Sequence, residues 1–172
     1  MIGDEVTVTP LRLEDAEAIV AAEDEATRRW LTGGRSTLET TRDHVLRLDA
    51  AAARGSTKRA FAMRVDGAVV GSIDFDADPQ DGIGPGDVNI SYALAPWMRG
   101  RGVTARAVEL LCGIMRDRRV GHRAVIRCDP RNLPSARVAQ KAGFRFSREI
   151  LSTTDADEHG EPVTLNVYVR EL

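Results

Sequence analysis

A predicted strand, a glycine-rich turn and an amphipathic helix follow one another between Val88 and Arg119. The strand covers Val88 to Leu94, and the helix runs from Gly102 to about Arg119 with its apolar residues on one face. The turn between them contains Arg99-Gly100-Arg101-Gly102. A chain that passes directly from strand to helix in this way predicts an α/β fold, in which helices cover a sheet.

The remaining elements give the order β, α, α, β, β, β, α, β, α, β, β. Strands are predicted at Val6–Thr9, Ala60–Val65, Ala68–Phe75, Ala124–Cys128, Phe144–Leu151 and Val163–Val169, and helices at Asp15–Ala26, from Ser36 to about Arg54, and at Pro134–Ala142. Asp66-Gly67 predicts a tight hairpin, and Ser36 with Glu39 predicts a capping box. We therefore expect one domain over residues 1–172, an α/β fold with a mixed central β-sheet flanked by helices on both faces.

Charge and composition argue against several classes of protein. The 172 residues contain 24 Lys and Arg against 26 Asp and Glu, a net charge of -2, which argues against a nucleic-acid partner. No apolar run approaches the ~18 residues of a membrane span, and the acidic start of the chain does not resemble a secretory signal. The two cysteines lack metal-ligand spacing, so we expect a cytoplasmic protein without a metal site. Basic residues nevertheless dominate from Arg99 to Arg148, which suits an anionic small molecule.

The turn before the central helix has the chemistry of an anion site. The first amides of a helix lack intrahelical partners, and the helix dipole adds positive charge there. No Ser, Thr, Asp or Asn occupies the expected N-cap, so those amides are left for a ligand. Gly100 and Gly102 allow the backbone to approach a diphosphate, and Arg99 and Arg101 supply charge. The alternative is an ordinary turn with solvated arginines, because a lone GxG is a weak signal.

A second helix start follows the strand that ends at Cys128. Pro134 suits a first helical turn, and Gly143 suits the residue just past a helix end. Asn132 and Ser135 therefore stand at the N-terminus of this helix, where Asn132 is either a ligand-binding group or an ordinary cap.

Together, RGRG and the later N-x-x-S-x-R-x-x-x-K-x-G-F resemble the Gcn5-related N-acetyltransferase (GNAT) family, particularly its Rim-like branch, which acetylates ribosomal proteins. The resemblance covers nearly the whole chain and implies acetyl-CoA as co-substrate. It places the family motif on Arg99, Gly102 and Thr104, where Thr104 departs from the usual Gly or Ala. It implies the following cofactor contacts: the backbone of Leu94 and Ala95 with pantetheine, the amides of Gly100, Arg101, Gly102, Val103 and Thr104 with the pyrophosphate, Asn132 with the pantetheine arm, Ser135 near the sulfur, and Arg137 elsewhere on the cofactor.

The resemblance also implies direct attack of an amine on the thioester, with an oxyanion donor near Leu94 or Ala95. Two family positions differ here, since Asn89 replaces a common Glu and Ala139 replaces a common Tyr proton donor. The candidate bases are Asp74, Asp76, Asp87, or a water relayed by Asn89 and Ser91; for Asp74 and Asp76 the alternative is a solvated sheet edge. Asp74 and Ser135 are our catalytic candidates, and Trp30 and Tyr92 are candidates for an acceptor pocket.

The predicted function is acetyl transfer to a primary amine, such as a protein N-terminus, an amino acid or a small-molecule amine. A non-catalytic acyl-CoA sensor of the same fold is the alternative, because of the missing Glu and Tyr. A regulator that contacts nucleic acid is a third hypothesis, disfavoured by the acidic chain. We expect the loop Asp78–Gly86 and the first two helices to shape the acceptor site, and a homodimer is compatible with the sequence.

Overall fold

The computed structural model describes residues 5–78, 81–157 and 159–172. Its strands form a seven-stranded sheet in the order β1-β2-β3-β4-β5-β7-β6. The strands are β1 (Val6–Pro10), β2 (Arg59–Val65), β3 (Ala68–Asp76), β4 (Asp87–Leu94), β5 (Arg123–Cys128), β6 (Arg145–Ala156) and β7 (Pro162–Glu171). The helices are α1 (Ala16–Ala22), a single turn α2 (Glu25–Thr27), α3 (Leu38–Ala53), α4 (Val103–Asp117) and α5 (Leu133–Lys141). Short helical turns at Leu13–Asp15, Arg28–Thr32 and Pro96–Met98 complete the described part.

The centre of the sheet contains one feature that creates a site. Strands β4 and β5 are parallel and pair only from Asp87 to Asn89 with Arg123 to Val125. Beyond Asn89, β4 continues to Leu94 in pairing with β3 on its other side. The strands β4 and β5 therefore diverge, and the last part of β4 has one edge that no strand of the described residues covers.

Helices cover both faces of the sheet, as the sequence predicts. Helix α4 packs on β1, β2 and β4, and α5 packs on α4 and β5, while α1 packs on β3 and α3 packs on β2. Ile73 and Tyr92 belong to the core that α4 completes. Asp74 follows Ile73 on β3, Ser91 precedes Tyr92 on β4, and the two are cross-strand partners. Because side chains alternate along a strand, Asp74 and Ser91 face the other side of the sheet.

The predicted helix at Asp15–Ala26 is wrong in its length. Helix α1 ends at Ala22, and Glu23 and Asp24 are extended. Two side-chain contacts account for the break. The Asp24 carboxylate caps the next turn by accepting from the Thr27 amide at 3.0 Å, and the Glu23 carboxylate accepts from the Ser36 amide at 3.1 Å.

The predicted capping box at Ser36 and Glu39 is shifted by one residue. Thr37 is the N-cap of α3. The Thr37 hydroxyl accepts from the Thr40 amide, and the Thr40 hydroxyl accepts from the Thr37 amide.

The hairpin at Asp66-Gly67 is confirmed, since both residues have positive φ as a type I′ turn requires. Residues 79 and 80 of the predicted loop Asp78–Gly86 lie outside the described residues. Asp81 in that loop accepts from the Ser152 hydroxyl of β6 at 2.6 Å.

Candidate active site at the divergence of β4 and β5

The end of β4 presents a free backbone edge toward β5. The Ala95 amide donates to the Val70 carbonyl on the β3 side at 2.8 Å, and the Ala95 carbonyl accepts from the Met98 amide at 3.0 Å. Ala95 therefore has both backbone groups paired inside the protein, and its contact with the cofactor stays a prediction. Because successive residues of a strand face opposite edges, the Leu94 N–H and C=O point toward the divergence. The Leu94 N–H is therefore the better candidate for pairing with pantetheine and for the oxyanion donor, while its carbonyl accepts from Arg99 at 3.1 Å.

The turn after this edge is an open anion site. Gly102 is the N-cap of α4 with φ of 80°, and no side chain of the described residues caps the helix. Gly100 also has a positive φ, of 78°, a conformation that glycine adopts without strain. A Cβ built on either glycine would meet no described heavy atom within 4 Å, so the space above the turn is open. The N-terminus of α4 is therefore uncapped, as the sequence predicts, and such a helix start favours an anion.

The two arginines of this turn differ in their surroundings. The Arg99 guanidinium donates to both carboxylate oxygens of Asp24, at 2.6 and 2.9 Å, and to the Leu94 carbonyl at 3.1 Å. The charge of Arg99 is thus paired with that of Asp24, and the expectation that Arg99 supplies charge to the diphosphate stays a prediction. Arg101 is exposed and contacts the Met98 sulfur at 3.4 Å. Arg101 is thus a second cation beside the open turn.

The N-terminus of α5 lies on the other side of the divergence. Asn132 is its N-cap and accepts from the Ser135 amide at 3.3 Å, as an ordinary cap would. The Asn132 NH2 group is the end that could donate to a carbonyl of pantetheine. Arg137 is exposed on α5, and the side chain of Thr104 is buried in the first turn of α4.

Three side chains from separate elements meet where β4 and β5 diverge: Tyr92 of β4, Cys128 of β5 and Ser135 of α5. The Tyr92 phenol lies 2.9 Å from the Ser135 hydroxyl and donates to the Ser135 carbonyl at 3.3 Å. Burial raises the pKa of Tyr92 above its usual value, so the phenol stays protonated. Burial also raises the pKa of Cys128, and its hydrogen bond with Ser135 opposes this shift. Sequence reasoning found Ser135 but assigned Tyr92 to an acceptor pocket, because nothing local indicates this pairing.

Asp74 is a carboxylate with the properties of a base. It lies on β3 between β2 and β4, so the alternative of a solvated sheet edge is wrong. Burial raises the pKa of Asp74 to about 6, although Lys58 lies 3.5 Å away and opposes the shift. Apart from the Lys58 ammonium at 3.5 Å, the buried Asp74 Oδ1 atom has no polar partner among the described residues. A carboxylate of this kind is ionised at neutral pH and has an unused acceptor.

The other candidate bases are less suitable. Both Asp87 oxygens accept from Arg123, at 2.8 and 3.0 Å. Burial acts to raise the pKa of Asp87, but these bonds outweigh it and the pKa is lowered. Asn89 accepts from Arg127 and donates to Ser91, both at 3.3 Å, and so remains able to orient a water through Ser91.

In residues 5–78, 81–157 and 159–172 we find no cluster of three or more His, Cys, Asp or Glu side chains that could hold a metal ion. In the same parts of the chain, no helix is both long and apolar enough to cross a membrane.

The open strand edge beside an uncapped helix N-terminus defines a protein that binds an extended ligand with a diphosphate. Residues 5–145 match the family described as "Acetyltransferase (GNAT) domain", and the chain belongs to this family. The fold, the enzyme class and the acetyl-CoA co-substrate expected from the sequence are thereby confirmed.

Solved structures of acetyltransferases have the same fold. RimL, a ribosomal L7/L12 alpha-N-protein acetyltransferase solved with coenzyme A, is 20% identical with a TM-score of 0.81, over 97% of this chain and 94% of that chain. Mycobacterium smegmatis RimJ in complex with CoA-disulfide is 22% identical with a TM-score of 0.80, over 96% and 81%. The aminoglycoside acetyltransferase AAC(6')-Ib with coenzyme A is 20% identical with a TM-score of 0.75, over 97% and 95%. No curated protein matches the sequence.

Proposed function

We propose that residues 1–172 form a single acetyltransferase domain that binds acetyl-CoA along the divergence of β4 and β5. The amides of residues 100–104 hold the pyrophosphate, with added charge from Arg101. The Leu94 backbone pairs with the pantetheine arm in the manner of an added strand. Asn132 donates to the same arm from the opposite wall. The observation that carries this assignment is the uncapped N-terminus of α4, which opens onto empty space at two glycines of positive φ.

The proton donor and the proton acceptor lie on opposite faces of the sheet. Asp74 takes the proton of the attacking amine, directly or through a water held by Ser91, its cross-strand partner. The Leu94 N–H stabilises the negative charge that develops on the thioester oxygen. Ser135 passes a proton to the departing sulfur and takes one from the Tyr92 phenol at 2.9 Å. Water restores the phenol proton, and Asp74 releases the amine proton to water. The C–N bond forms first and gives the tetrahedral oxyanion, whose collapse breaks the C–S bond, so the base acts from one side of the divergence and the acid from the other.

The acceptor is a primary amine. RimL acts on a protein α-amine and AAC(6')-Ib on an aminoglycoside, and both have this fold. Helix α1 contacts β3 and α3 contacts β2, so these two helices shape the acceptor site on the face that carries Asp74. We also propose that the protein is cytoplasmic and forms a homodimer.

A thiol-release assay over peptides with free N-termini, amino acids and aminoglycosides tests the transfer reaction. We expect CoA release with at least one class of amine. A protein that binds CoA in calorimetry but releases none with any amine would be the acyl-CoA sensor instead.

Variants of the proton donor test the acid side of the site. Ser135→Ala should lower kcat by about 10²-fold or more, because an acid group is lost. The CoA dissociation constant should change little. Tyr92→Phe keeps the ring and removes only the hydrogen bonds to Ser135, so its kcat should lie between those of the wild type and Ser135→Ala. Equal kcat in all three proteins would contradict the assignment.

A further inference from the structure

The segment 24–32, which comprises Asp24, α2 and the turn Arg28–Thr32, contacts both walls of the divergence. At one end, Asp24 pairs with Arg99 in the cofactor turn. At the other end, the ring of Trp30 lies 5.9 Å from the Arg131 guanidinium carbon, in the turn between β5 and α5. Arg131 is itself held by Asp129 at 2.7 Å. One short segment therefore forms an ion pair with the turn after β4 and lies beside the turn that follows β5.

The Asp24–Arg99 pair has the geometry of a fixed connection. Two parallel hydrogen bonds join the guanidinium to the carboxylate, an arrangement that orients both planar groups. The same carboxylate accepts from the Thr27 amide and hydroxyl, both at 3.0 Å. The same guanidinium donates to the Leu94 carbonyl. Asp24 and Arg99 thus join the start of α2 to the strand end that lines the cofactor site.

From this geometry we propose that Arg99 is a positioning residue and that, with Asp24, it couples the cofactor site to the segment 24–32. Arg99 keeps its bond to Asp24 when the cofactor binds, and holds the Leu94 carbonyl and the start of α2 in register. The diphosphate takes its charge compensation from the amides of α4 and from Arg101. This assignment rests on the proposed function, because it concerns the same cofactor site.

Four variants distinguish a positioning role from direct phosphate binding. Arg99→Lys keeps the positive charge but loses the two-pronged geometry, and Asp24→Asn removes the charge of the partner. For a positioning role, Asp24→Asn, Arg99→Gln and Arg99→Lys should each raise the CoA dissociation constant at least about fivefold. The double variant Asp24→Asn with Arg99→Gln should bind no more weakly than either single variant, since the two residues act as one unit.

Direct phosphate binding would give a different pattern in the same calorimetric titration with CoA. Arg99→Lys would then resemble the wild type, and Asp24→Asn would bind CoA equally well or more tightly, because a competing carboxylate is neutralised. Either result would overturn the positioning role. Arg101→Gln provides the contrast, since it should weaken CoA binding and reduce its dependence on salt concentration.

Hydrogen exchange on the free protein supplies a readout that does not need CoA. The amides of residues 25–33 should exchange faster in Asp24→Asn and Arg99→Gln than in the wild type, and at the wild-type rate in Arg101→Gln. Unchanged exchange in the first two variants would also refute the proposal. Failure of the wild-type protein to bind CoA would instead refute the proposed function, and the exchange rates would still decide whether the pair fixes the segment.

Discussion

Replacing Asp74 with Asn should stabilise the protein while it removes activity. The pKa of Asp74 is raised from 3.8 to about 6, so its ionised form costs folding free energy. A gap of about two pKa units at about 1.36 kcal/mol each gives roughly 3 kcal/mol. The side chain is 24% exposed, so solvent screening makes this an upper limit. We expect Asp74→Asn to raise the free energy of unfolding by about 1–3 kcal/mol at pH 8.

The pH dependence of this gain is fixed by the direction of the pKa shift. Below pH 3.8 the carboxyl group is neutral in both the folded and the unfolded chain, and Asn offers little advantage. As the pH rises through 6, the wild-type protein loses the stability of its protonated Asp74, and Asp74→Asn does not. The stability difference between the two proteins should therefore grow from pH 4 to pH 7 and then stay constant.

Urea denaturation at pH 4, 6 and 8 measures this difference. Asp76→Asn is a matched control, because Asp76 lies two residues along β3 and its carboxylate accepts from Thr57 and from the Asp78 amide. This control should show no comparable gain. In the acetyl-transfer assay, Asp74→Asn should lose about 10²-fold or more in kcat/KM, together with the acidic limb near pH 6. A stability gain over the wild type that is no larger at pH 8 than at pH 4, or an acidic limb that persists in the variant, would refute the argument.

Two further sets of variants test the cofactor turn and Asp87, the first residue of β4. Gly102→Ala should destabilise the protein by about 1 kcal/mol and weaken CoA binding, because the φ of 80° at this position is strained for alanine. Gly113→Ala, within α4, should stabilise the protein by up to about 1 kcal/mol and leave CoA binding unchanged. Thermal unfolding measures the stability of both variants, and calorimetry measures their CoA binding. Asp87→Asn should lower the free energy of unfolding at pH 7 by about 1–3 kcal/mol, because it weakens the bonds from Arg123. Since the pKa of Asp87 is lowered, this loss should shrink as the pH falls below about 4, which urea denaturation at pH 3 and 7 would show.

Some departures from the sequence-based expectations come from side chains that compete for the backbone. Asp24 and Glu23 interrupt a stretch whose composition predicts one continuous helix, since each carboxylate accepts from an amide. The Ser36 amide is one of these donors, which leaves Thr37 as the cap of α3. Periodicity contains no information about such contacts when the partner is 13 residues away.

The strand order excludes the alternative, weighed from the sequence, that Asp74 lies on a solvated sheet edge. Two aspartates in alternation suit a solvated strand, and the position of β3 inside the sheet appears only when the strand order is known. The raised pKa of Asp74 follows from that position, because an interior strand withdraws the carboxylate from water.

The sequence alone determined the elements whose signals are local. The glycines at positive φ, the uncapped start of α4 and the Asp66-Gly67 hairpin each depend on residues within about four positions of one another, and all are present in the structure. Tertiary packing decided which side chains meet at the site. Arg99 and Asp24 are 75 residues apart, and Tyr92 and Ser135 are 43 apart. Contacts at such separations depend on how the sheet and helices are assembled, and no local pattern encodes them.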